Sequence, residues 1–80
     1  MNNRNDLQDW VYTALVDLNG SARIVDVAKH IWKHHQNDLK SSGDMFYTWQ
    51  YDMRWAATKL RESKKILPAE KSQKGIWKLT

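Results

Sequence analysis

From Asn5 to Leu18 the apolar residues Leu7, Trp10, Val11, Ala14, Leu15 and Leu18 recur at i, i+3, i+4, i+7, i+8 and i+11. That spacing draws one apolar stripe along a helix, so an amphipathic helix is predicted here. Asn5 is placed to cap it, and Gln8 three residues later completes a capping-box pattern. Asn19-Gly20 supplies a left-handed stop. Ile24, Val27, Ala28, Ile31 and Trp32 repeat the helical spacing and predict a second helix from about Val25 to Gln36. The linker Ser21–Ile24 before it has room for a few residues of strand. NDLKSSGD, residues 37–44, is polar and reads as a turn or loop.

A third helix is expected to begin between Asp44 and Thr48 and to run to about Lys64. Phe46, Trp49, Met53, Ala56, Ala57 and Leu60 fall on one side of it. Ile66-Leu67-Pro68 then predicts a strand closed by proline, EKSQKG (70–75) a polar tip, and Ile76-Trp77-Lys78-Leu79 a half-buried strand. Helix, short extended piece, helix, helix, strand, tip, strand is the winged helix order. The predicted fold is therefore α+β: a three-helix helix-turn-helix core, a two-stranded antiparallel wing, and a short third strand offered by residues 21–24. An isolated two-stranded ribbon is marginal in water, so Ile66, Ile76, Trp77 and Leu79 must pack it on the helices.

Composition narrows the class. The 80 residues suffice for a single domain, 1–80, and contain no cysteine, which excludes a disulfide framework and thiolate-bound zinc. Five tryptophans compensate for the small core, each bringing roughly 150–250 Å² of buriable surface. No run reaches the roughly 18 apolar residues of a membrane-spanning helix, and MNNRNDLQDW lacks an apolar signal core. A soluble, cytoplasmic protein is the expectation.

The net charge of +4 is uneven. Residues 1–44 carry five basic and six acidic side chains, a balance of −1, whereas residues 45–80 carry eight basic and three acidic, a balance of +5. A basic second half suits a polyanionic partner, although a solvated basic face has the same composition.

Four stretches resemble the winged helix domain at the N-terminus of Mrr-type restriction endonucleases. They are the "aL.dLnG" end of the first helix (Ala14, Leu15, Asp17, Leu18, Asn19, Gly20), "MRWAATKL" (Met53–Leu60), the pair Ile66-Leu67, and "KGIWKLT" (Lys74–Thr80). The resemblance spans nearly the whole chain and implies a stand-alone winged helix-turn-helix module that binds DNA. It also implies that base modification bears on what is bound, in transcription control, host defence or a mobile-element function. Lys64-Lys65 stands where the family has a glycine, and nothing matches the Mrr nuclease domain.

In such a fold the third helix enters the major groove and the wing meets the backbone. The free face of the third helix carries Tyr47, Tyr51, Arg54, Thr58 and Arg61, with Thr48 and Gln50 near the helix start. Arg54 suits guanine O6 and N7, and Gln50 an adenine edge. The hydroxyls of Tyr47, Thr48, Tyr51 and Thr58 suit phosphates, or the tyrosines pack against the wing or the 37–44 loop. At the tip, Lys71 and Lys74 flank Ser72-Gln73 and can neutralise phosphates. Arg61 is expected in solvent, and Trp55, opposite the core stripe, packed against the wing.

Asp26, His30 and His34 share a stripe of the second helix, but one straight helix seldom presents three ligands tetrahedrally. Solvent is the simpler destination for that stripe, and for His35 either solvent or a place beside Trp32. No serine has an evident histidine partner, and no glycine-rich phosphate loop or carboxylate pair occurs. The expectation is a binding protein without catalysis, cofactor or metal, with double-stranded DNA as partner; a second copy of the chain on a two-fold site and a larger protein partner are both open. The rival is a protein-docking or dimerisation winged helix, in which Trp55 with Tyr47 or Tyr51 forms an apolar surface.

Overall fold

Three helices and a small antiparallel sheet make up residues 4–80, the part of the chain that the computed structural model describes. In chain order these are α1 (Asp6–Asp17), β1 (Ser21–Arg23), α2 (Ile24–Lys40), α3 (Met45–Glu62), a 3-10 turn (Ala69–Lys71) and β2 (Ile76–Lys78). The apolar stripes meet in one core. Leu7, Val11 and Leu15 of α1, Val27, Ile31 and Leu39 of α2, and Ile66 are fully buried, with Trp49, Met53, Leu60 and Trp77 nearly so. No polar or charged residue among those described is buried. None of the described helices is long and apolar enough to cross a membrane.

Helix ends decide how the elements turn. At the end of α1, Gly20 N–H donates to Leu15 O at 2.7 Å and Asn19 N–H to Val16 O at 3.2 Å. This is a Schellman motif, with Asn19 and Gly20 at φ 68° and 95°. The same pattern closes α3, where Lys65 N–H donates to Leu60 O at 2.9 Å and Lys64 N–H to Arg61 O at 3.0 Å. Lys64 itself takes the left-handed conformation, φ 64°, that a glycine adopts without strain. The start of α1 departs from the expected capping box. Asn5 has helical φ/ψ (−66°, −29°) and makes no side-chain cap, because capping needs an extended residue at that position.

Two further expectations are corrected. Residues 37–40 are helical, not loop: α2 breaks at His35 (φ −130°, ψ 17°) and continues to Lys40, which carries Leu39 into the core. The sheet also has a different composition. β2 takes its regular partner from β1, in the register Ser21↔Lys78, Ala22↔Trp77 and Arg23↔Ile76. The 66–68 segment adds a single bridge, Ile66↔Leu79, supported by Leu67 N–H to Lys78 O at 2.8 Å. Pro68 has no N–H to extend the ladder, so this strand stops as it starts. The sheet therefore joins both halves of the chain, and Ile24 N–H to Gly75 O at 3.0 Å ties the start of α2 to the 67–75 loop.

Candidate nucleic-acid interface

Helix α3 buries Met45, Trp49, Met53, Ala56, Ala57 and Leu60 and leaves the opposite stripe in solvent. Tyr47, Thr48, Gln50, Tyr51, Arg54 and Thr58 are all exposed there. Tyr47 and Tyr51 are 83% and 78% exposed, so neither is folded under a loop, although the Tyr47 ring meets Phe46 edge-on at 5.0 Å.

Beside this stripe runs an open groove of about 740 Å³. Its lining comes from three parts of the chain: Gln50, Tyr51 and Arg54 of α3, Gln73, Lys74 and Gly75 of the 67–75 loop, and Arg23, Ile24 and Val25 at the junction of β1 and α2. A second groove of about 430 Å³ continues along α3 past Thr58 and Arg61, sharing Arg54, Lys74 and Ile76 with the first. The register explains the juxtaposition. Pairing Arg23 with Ile76 and bonding Ile24 to Gly75 holds Lys74 beside the end of β1, in a groove that Arg54 also lines.

The hydroxyls are less free than their exposure suggests. Thr48 Oγ1 donates to Asp52 Oδ2 at 2.7 Å, Thr58 Oγ1 to Arg54 O at 3.2 Å, and Ser72 Oγ to Ile76 O at 3.2 Å. Each hydroxyl has one proton, so in this state these three present acceptors, the wrong polarity for a phosphate oxygen. Lys71 lies apart from Arg54, on another face of the loop with Ser21 and Lys78. The structure thus brings together Gln50, Tyr51, Arg54 and Lys74 from the expected set at the first groove, and Thr58 and Ser72 with the same Arg54 and Lys74 at the second. Tyr47 and Thr48 lie further along the exposed stripe of α3, and Lys71 lies elsewhere.

Arg23 is the basic residue that sequence reasoning passed over. It belongs to the half of the chain whose charges sum to −1, and only non-local strand pairing brings it to the groove. Its guanidinium is forked onto Asp26, Nε to Oδ2 at 2.9 Å and Nη2 to Oδ1 at 3.1 Å. The hydrogen bond from Arg23 holds the Asp26 carboxyl below its ordinary range, outweighing desolvation, with lesser help from the charges of Arg23 and Lys29. The same hydrogen bond raises Arg23.

Other side chains depart from expectation. Trp55 is half-buried with the Arg4 guanidinium 4.0 Å over its ring and Lys59 at 5.8 Å, so cations cover it where the wing was expected. Arg61 is half-buried and donates from Nε to Leu67 O at 3.3 Å. His30 turns toward α1, its Nε2 3.0 Å from Asp17 Oδ2, and its ring lies 4.3 Å from that of His34. A carboxylate only accepts, so Nε2 carries the proton, and the buried Nδ1 has no partner among the described residues. His35 stacks on Trp10 at 4.1 Å rather than lying beside Trp32. No three His, Asp or Glu side chains among the described residues are grouped to hold a metal. The chain matches no family model, and no curated protein or solved structure is significantly similar to it.

Proposed function

We propose that this chain is a winged helix module that binds duplex DNA, with α3 in the major groove and the 67–75 loop, as the wing, on the backbone. The observation that carries the reading is that Arg54 of α3 and Lys74 of the 67–75 loop line the same groove, beside the exposed stripe of α3. An α-helix fits the major groove, where base edges present a distinct donor and acceptor pattern. Arg54 and Gln50 have the fork and the amide that read such edges, while Lys74 is a point charge suited to phosphate. Binding of this kind needs no cofactor and no catalytic group. Base modification and a two-fold arrangement of two copies are refinements of the same reading.

The exposed Tyr47 and Tyr51 favour a second reading, a protein-docking face. It is the weaker one, because Trp55, its expected third member, is covered by Arg4 and Lys59.

Fluorescence anisotropy on a labelled duplex, across a salt series, tests the proposal. The wild type is expected to bind at low salt and to weaken as salt rises. Arg54→Ala with Lys74→Ala should bind less tightly, with a salt slope shallower by roughly 0.9 for each phosphate no longer neutralised. A folded wild type that fails to bind at low salt rejects duplex binding and turns attention to the tyrosine face.

A further inference from the structure

Arg23 is 64% exposed at its side chain and is turned toward Asp26. Nε and one Nη2 proton are engaged by the two oxygens of Asp26. A guanidinium has five N–H donors, so three remain, two on Nη1 and one on Nη2, along the edges not facing the carboxylate. A solvent-exposed ion pair of this kind adds little to stability. Its bearing is on geometry: it biases the direction of a long side chain belonging to a residue that lines the groove together with Arg54 and Lys74, while Asp26 itself lines a separate hollow with Lys29 and His30.

The backbone around Arg23 is fixed as well. Arg23 is paired with Ile76 across the sheet, and the next residue, Ile24, donates to Gly75 O at 3.0 Å. The base of the arginine is therefore tied to the end of the 67–75 loop, where β2 begins. A phosphate seated in the groove would lie among lining residues that include Arg23, Arg54 and Lys74.

We propose that Arg23 is a phosphate-binding residue of this interface, oriented by Asp26, so that the duplex is gripped by β1 as well as by α3 and the loop. This rests on the duplex-binding reading above. A guanidinium held by a carboxylate on one edge offers a phosphate oxygen a prearranged donor edge, which lessens the ordering needed on binding. Asp26 touches no DNA in this arrangement and is a positioning residue.

The test compares wild type, Arg23→Gln, and Arg23→Gln combined with Asp26→Asn, on one labelled duplex between about 50 and about 200 mM salt, where counterion release dominates. The double variant has the net charge of the wild type, so bulk electrostatics alone predict unchanged binding for it. A direct contact predicts that both variants bind more weakly at low salt, with slopes shallower by about 0.9, so that their deficit shrinks about 3.5-fold across that range. Thermal melts establish that each variant is folded, and Arg23→Lys, which keeps the charge, should restore the slope. A double variant with wild-type affinity and slope overturns the role of Arg23 while leaving duplex binding intact. A folded wild type that ignores DNA overturns both.

Discussion

Lys64 ends α3 at φ 64°, where the Cβ of an L-residue crowds the carbonyl oxygen that follows. The strain is about 1–2 kcal/mol, and glycine escapes it because it has no Cβ. Lys64→Gly is therefore expected to stabilise the protein by about 1 kcal/mol, despite the greater freedom glycine gives the unfolded chain. A higher urea midpoint with an unchanged slope would register the gain, and a midpoint that stays put or falls would mean that the lysine side chain offsets the strain. Asp26 gives a second residue-level expectation, with a definite sign. Its carboxyl is lowered in the folded state, chiefly by the hydrogen bond from Arg23. The stabilisation it confers is thus complete above the ordinary aspartate pKa and disappears as pH falls through the lowered value. Asp26→Asn should be less stable than wild type near neutrality, and the difference should vanish on acidification. Parallel acid limbs for the two proteins, in melts taken from neutral pH downward, would show that the pair does not contribute.

Element by element, the last turn of α2 is the most informative departure from pattern. Asn37, Asp38 and Lys40 are polar, and nothing in that run marks a helix; only Leu39, fully buried, shows why the segment is ordered. Leu39→Ala should destabilise by about 2–5 kcal/mol, whereas Lys40→Ala, one residue on and exposed, should change stability by no more than about 0.5 kcal/mol. Equal, small effects in urea denaturation would return residues 37–40 to the status of a loop. The contrast with the other helices is physical. Long periodic stripes, such as Leu7–Leu15 and Met53–Leu60, declare both the helix and its buried face, because burial of one face is what makes them helices. Ser21–Arg23 has no such signature. Three residues of strand exist only because β2 lies beside them, and that partner is more than fifty positions away in the sequence. The free stripe of α3 was legible for the same reason as its buried one, but the groove was not. Arg23 reaches it through strand pairing, and the hydroxyl of Ser72 is withdrawn by a bond across the loop, whereas those of Thr48 and Thr58 are taken by partners at the helical spacing of four, a pattern the sequence does carry.

For the molecule as a whole, folding converts a lengthwise difference in charge into a spatial one. Helix α1 carries Asp6, Asp9 and Asp17 and no basic residue, while Arg23, Arg54 and Lys74 gather at the groove. Because α3 packs its apolar side on α1 and turns its other side to the groove, the acidic helix stands behind the basic face. The extents of the molecule are 35 × 21 × 17 Å, and the Debye length at physiological ionic strength is about 8 Å. Charges on the outer side of α1 are therefore screened from a duplex seated at the groove under those conditions, and felt by it only when salt is low. Asp9, exposed on α1, separates the two regimes. Asp9→Asn should leave duplex affinity unchanged at physiological salt and raise it modestly in dilute buffer, whereas Lys74→Ala should weaken binding in both. An Asp9→Asn effect as large as that of Lys74→Ala at physiological salt would mean that the duplex lies against α1, and the interface would then have to be redrawn around that helix.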